Sequence, residues 1–215
     1  MEITELNPKI VWKYFHEITQ VPRPSKKEGK IIAYLEKFAK EHGIEYKKDH
    51  VGNIVMSKPA TPGYEDRVKL ILQSHVDMVC EKNAGTEHDF DNDPIRTIVD
   101  GEWLHADGTT LGADNGIGCA AQLAILASDD IEHGPIEALF TIDEETGMTG
   151  AFELRPGFLT GKILINLDSE DEGELFIGCA GGKGIVATFT PEYQEAPQGL
   201  TWLRASVSGL KGGHS

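Results

Sequence analysis

Three short apolar runs, at residues 68–74, 136–142 and 163–167, constrain this chain more than any other feature. The first lacks the alternation of a half-exposed strand, which suits a central strand covered on both faces. Between the first two runs lies a buried-helix pattern over residues 116–127, with Ile117, Ala120, Ala121, Leu123, Ala124 and Leu126 apolar. A turn and a short helix separate the second run from the third. Strand, helix, strand, helix, strand predicts an α/β sheet with crossover connections. Upstream, Asn7-Pro8 predicts a helix start with Asn7 as N-cap. Ile10, Val11, Tyr14, Phe15 and Ile18 then keep helical spacing. Val21-Pro-Arg-Pro24 breaks that helix, and Ser25-Lys-Lys-Glu28 matches a capping box that opens a second helix, ending near Gly43. Two short strands are predicted at 44–48 and 53–57. Residues 75–110 read as a long irregular segment, of a length that is usually functional. Past Gly181 the pattern changes to alternating stretches at 185–190 and 200–208. A domain boundary is therefore placed near residue 182, with residues 1–182 in one domain and 183–215 beginning a second.

The formal net charge of −15 argues against nucleic-acid binding, which wants a basic face, and against an anionic membrane surface. The longest weakly polar stretch, residues 117–126, is too short to span a bilayer. The first residues show no basic region followed by an apolar core, so no leader is expected. Three cysteines, Cys80, Cys119 and Cys179, form no CxxC pair and suit a reduced cytoplasmic protein with buried thiols. Two glycine-rich segments, 108–118 and 178–184, miss the phosphate-loop pattern. Gly112 and Gly116 read instead as permitting a tight turn that aims Asp114 inward.

The chemistry sits at the ends of the runs. In open α/β sheets ligands bind beyond the carboxyl ends of the strands. His75 and Asp77 follow the first run, Glu144 and Glu145 follow the second, Asp168 ends the third, and Asp114 precedes a helix. Residues two apart in extended chain point the same way, so His75 and Asp77 share a cavity. A metal-bound histidine commonly uses its other ring nitrogen on a carboxylate. Glu144 and Glu145 are adjacent and diverge, which lets one ligate while the other stays free as a general base. Mixed histidine and carboxylate ligation suits zinc, with manganese or cobalt as alternatives. Each residue alone also has an ordinary reading: Asp114 as a helix cap, Glu-Glu as helix surface, His and Asp near a strand end as surface or capping residues. Their joint placement at strand ends favours a metal-dependent hydrolase. His16, His42, His50, His88, His105 and His133 have no ligand-like company, whereas two glycines before His214 permit a close approach.

Gln73-Ser-His-Val-Asp-Met78, the segment from Gly108 to Gly118, Phe140-Thr-Ile-Asp-Glu-Glu-Thr-Gly-Met-Thr-Gly150, Asn166-Leu-Asp-Ser169 and Gly209-Leu-Lys-Gly-Gly-His-Ser215 together resemble aminoacyl-histidine dipeptidases. These are carnosinase-like bacterial members of the dinuclear zinc peptidase family. The resemblance implies a zinc-peptidase-like α/β catalytic domain, with a mixed, largely parallel sheet and helices on both faces, followed by the start of an α+β lid domain. It implies one zinc on His75, Asp114 and Asp168, with Asp114 bridging to a second zinc on Glu145. Asp77 would orient His75, and Glu144 would be the general base toward a metal-bridging water. His214 would be the lid histidine that reaches a partner subunit's site, and the peptide bond after Asp114 would be cis. It further implies a dipeptide substrate, Xaa-His included, and a homodimer. Members run longer than this chain and return after the lid with a final histidine ligand, so the resemblance also implies an N-terminal portion whose second zinc lacks one ligand. A related deacylase or tripeptidase is the near alternative. A catalytically silent fragment that binds metal or a partner is the distant one. No GxSxG elbow supports a serine hydrolase.

Overall fold

The computed structural model describes residues 2–169, 171, 173–179, 181–182, 185–207 and 209. The chain divides into two units, residues 1–174 and 175–215, earlier than the boundary expected near 182. Among the described residues all helices and strands lie in the first unit.

A 3-10 turn (Ile3–Glu5) leads into α1 (Lys9–Thr19) and α2 (Gly29–Glu41), then β1 (Glu45–Lys48), β2 (Ile54–Lys58) and β3 (Leu70–His75). A hairpin of β4 (Thr97–Asp100) and β5 (Trp103–Ala106) precedes α3 (Ala113–Ala127), β6 (Ile136–Thr141), α4 (Glu144–Gly147), α5 (Thr149–Phe152) and β7 (Ile163–Asn166). The main sheet runs β1-β2-β6-β3-β7. β3 pairs parallel with both β6 and β7, whereas β2 is antiparallel to β6 and to β1. The three apolar runs are thus the parallel strands, and β6, between two neighbours, is buried at every residue. Ile54, Met56, Ala138 and Phe140 present one face to α1, α2 and α3 through Phe15, Leu35, Phe38 and Leu123. On the other face Leu139 shares a cavity with Ala151 of α5 and Leu154.

Several expectations need correction. Asn7 does not cap α1: Pro8 holds that position, and the Asn7 carbonyl instead accepts a bond from the Trp12 indole. Ser25 and Glu28 form no capping box, because Ser25 Oγ donates to Asp77 and Glu28 accepts the Lys26 and Asp143 N–H groups. The segment 75–110 contains the β4–β5 hairpin, which closes on the Asp100–Trp103 pair and turns through Gly101-Glu102, with Gly101 at φ 61°. The stretches 185–190 and 200–208 form no strand among the described residues. Their apolar side chains, such as Val186 and Leu203, are exposed with no sheet to join. Only Cys119 is buried; Cys80 is half-buried and Cys179 exposed.

Candidate metal centre

The parallel register brings the ends of β3, β6 and β7 to one edge, with His75 opposite Thr141 and Gln73 opposite Asn166. His75 closes β3 fully buried, and Asp77, two residues on, is buried beside it. The His75 Nδ1 to Asp77 Oδ1 distance is 3.2 Å, with the ring off the ideal hydrogen-bond line. On its other side His75 Nε2 lies 2.9 Å from Asp114 Oδ1, 3.6 Å from Asp168 Oδ1 and 3.9 Å from Glu144 Oε2. Among the described residues three triplets have ligand atoms within 4.8 Å of one another: His75 with Asp114 and Glu145, His75 with Glu144 and Asp168, and the wholly buried Glu28, Asp77 and Asp143 behind them. Adjacent Glu144 and Glu145 thus serve different triplets, as divergent neighbours should. All six side chains expected from the strand ends converge; His214 lies outside the described residues.

Local structure explains the aim of each group. Asp114 and Asn115 depart from helical geometry at the start of α3, and the peptide bond between them is cis, as the resemblance implied. Gly112 at φ 72° takes the left-handed conformation that favours glycine. Gly116 has no such φ, so the tight-turn explanation fails there, and its reason is steric: a Cβ would stand 2.7 Å from Arg23 Nη2. Asp143 enters α4 in left-handed geometry, φ 49° and ψ 49°, held by Thr146 and Thr149 hydroxyls that donate to its carboxylate. Glu28, buried, accepts the Asp143 N–H at 3.0 Å and the Lys26 N–H at 2.8 Å. Asp77 accepts the backbone N–H of Glu144 at 3.0 Å and of Glu145 at 3.2 Å. Ser25 Oγ donates to the same carboxylate at 2.7 Å. Ser25, Glu28 and Asp143 were not anticipated. The bonds that tie them to the site, Ser25 to Asp77 and Glu28 to the Asp143 N–H, cross 52 and 115 positions of sequence.

The electrostatics follow from this crowding. Burial opposes a charged His75, but hydrogen bonds and charge from Asp168 and Asp77 outweigh it and push its pKa up to about 11. Burial likewise opposes the Asp77 carboxylate, yet His75, the Glu144 N–H and Ser25 hold it down to about 2. Burial and then Asp168 raise Asp114, whereas His75 pulls Asp168 down against burial. Burial also raises Glu144 and Glu145. The side chains that hold a proton on His75 form a pocket of negative potential that a divalent cation would satisfy in that proton's place. The donor set, one imidazole and several carboxylates, fits zinc and its neighbours.

One imidazole ringed by carboxylates at the carboxyl edge of a mixed α/β sheet is the arrangement of a metallopeptidase catalytic domain. Residues 71–190, more than half of the chain, match the family described as Peptidase family M20/M25/M40, and the chain belongs to that family. Over 214 residues it is 48% identical to the cytosol non-specific dipeptidase of Escherichia coli K12, covering 100% of this chain and 44% of that protein. The crystal structure of aminoacylhistidine dipeptidase from Vibrio alginolyticus superposes with TM-score 0.79 at 54% identity, covering 80% of this chain and 35% of that one. A tripeptidase from Staphylococcus aureus superposes with TM-score 0.64 at 26% identity, covering 76% and 44% respectively. The chain therefore spans less than half the length of the dipeptidase it matches. No helix among the described residues is long and apolar enough to cross a membrane.

Proposed function

We propose that this chain carries the catalytic centre of a metal-dependent dipeptidase acting on small unblocked dipeptides, Xaa-His among them. One observation carries the reading: His75 Nε2 stands within 3.9 Å of carboxylates from three separate stretches of chain, those of Asp114, Glu144 and Asp168. His75, Asp114 and Asp168 would hold one divalent ion, and Asp114 with Glu145 a second. Zinc is the ion of choice, with manganese or cobalt as alternatives. Such ions, when bound, polarise a peptide carbonyl and make an attacking water more acidic. Glu144 takes the proton of that water and returns it to the leaving amine. Glu144 is half-buried beside His75, with its Oε2 3.9 Å from His75 Nε2, within reach of a water at that centre. Asp77 sets the orientation of His75 while its backbone contacts fix the Glu144–Glu145 turn. Homodimerisation and a role for His214 toward a partner's site belong to this reading through the resemblance.

The test is zinc content measured beside Xaa-His hydrolysis, for the protein and for Glu144→Ala. Retained zinc with turnover lowered by roughly 100-fold or more is the expected result for loss of a general base. Near-normal turnover in Glu144→Ala would remove Glu144 from that role. Zinc without any turnover in the unaltered protein would favour the reading in which these 215 residues bind metal but hydrolyse nothing.

A further inference from the structure

The segment Pro22 to Ser25, legible in sequence only as a helix break, runs along the metal centre. Met78 N–H donates to the Arg23 carbonyl at 3.2 Å, and Pro24 forms a parallel bridge with Met78. Arg23 is among the largest fully buried side chains, 2% exposed. Among the described residues it makes no ion pair; its guanidinium is spent on backbone carbonyls. Nη1 donates to Val76 O and Asp77 O, both at 3.0 Å, and Nη2 donates to Gly112 O. One rigid fork thus joins two stretches of chain: the one that carries His75 and Asp77, and the one that turns into Asp114. Lysine, a point charge on a flexible stem, has no such fork. The glycines flanking Asp114 make room for it, since a Cβ would come within 2.5 Å of Arg23 Nη2 at Gly112 and 2.7 Å at Gly116. Two residues on, Ser25 Oγ holds Asp77 Oδ2, the carboxylate that faces the His75 ring.

We propose that Arg23 and Ser25 are positioning residues of the metal centre: Arg23 locks the His75–Asp77 and Gly112–Asp114 backbones in mutual register, and Ser25 fixes the Asp77 carboxylate. The inference rests on the metal-site reading above, and it adds a third stretch of chain, remote in sequence, to what shapes the ligand geometry. Partners behind the ligands typically change metal affinity by about 10–100-fold.

Cobalt serves as the probe, because its visible absorption reports ligand geometry and its uptake is titratable without turnover. Ser25→Ala should weaken cobalt binding about 10-fold and alter the visible band, while the metal-free protein melts as before. Ser25→Thr, which keeps the hydroxyl, should restore both. Arg23→Lys should lose more, toward roughly 100-fold; should it fail to fold, the serine pair still decides. Cobalt affinity and band unchanged in Ser25→Ala overturns the proposal, as does a loss matched by a drop in metal-free melting that Ser25→Thr does not rescue. The unaltered protein separates the two readings. If it takes up no cobalt, the metal-site reading fails and this one with it; if it does and Ser25→Ala binds equally well, only this one fails.

Discussion

Asp114 sits in an environment that disfavours its own charge. Burial and the neighbouring Asp168 raise its pKa more than His75 lowers it. A carboxyl group with a raised folded pKa costs stability once pH exceeds its unfolded value, because the fold prefers the protonated form. Asp114→Asn should therefore leave the metal-free protein as stable at neutral pH, or slightly more so. The gain is at most about 1 kcal/mol, since solvent screens a side chain that is 43% exposed. On the proposed reading the same change takes away a carboxylate shared by both ions and should abolish stoichiometric zinc binding. Melting after chelation, beside zinc content, checks both halves; lower melting with zinc retained would count against this account. Asp114, His75, Asp77, Glu144, Glu145 and Asp168 were legible because each lies at the end of a strand or the start of a helix that the hydropathy pattern marks. Arg23, Ser25 and Glu28 were not. Ser25 acts on a carboxylate 52 positions away, while its local context offered a competing explanation as a helix cap.

At the scale of elements, the apolar runs announced β3, β6 and β7 to within two residues, and α3 by its apolar stripe. The sheet order was beyond reach, because placing β6 between β2 and β3 is a matter of non-local pairing. The β4–β5 hairpin is hard to see in the sequence, because its turn, Gly101-Glu102, is not one of the Asn-Gly or Asp-Gly pairs that mark such turns most strongly, and strands of four residues leave little alternation to see. Glu137 is a charge inside the buried strand β6, and the structure explains it. Its carboxylate accepts the Thr160 hydroxyl at 2.6 Å and the N–H groups of Thr160 and Gly161 at 2.8 and 2.9 Å, anchoring the turn into β7. Burial opposes the charge, but these bonds and Lys69 prevail, so its pKa is lowered. A depressed folded pKa contributes stability above the unfolded value near 4.5, lost as pH falls through the folded pKa. Glu137→Gln should cost about 1–3 kcal/mol at pH 7, and the gap from the unaltered protein should close as the pH is lowered below 4.5. Urea midpoints at both ends of that window measure it; a gap that persists in acid would mean that shape, and not charge, fixes the turn.

For the whole molecule, the net charge of −15 and the inward-facing acids point the same way. Self-repulsion weakens a compact state, and here part of it is concentrated where His75 meets the carboxylates of Asp77, Asp114, Asp168 and Glu144. A ligand that binds only the folded form adds stability by mass action, about 2.7 kcal/mol at one hundred times its Kd. For a domain of this size that amounts to a rise in Tm of roughly 5–10 °C. Zinc should therefore raise the melting temperature by that much and chelation should reverse it. Magnesium, which demands six oxygen ligands in octahedral array and keeps its waters, should do far less at the same concentration. Sodium chloride separates the site from the surface. Salt screens scattered exposed charges but does not replace an ion held between His75 and the carboxylates around it, so the zinc increment should survive at high ionic strength. An increment that disappears with added salt would assign the stabilisation to diffuse charge and leave the convergence at the sheet edge without a bound ion.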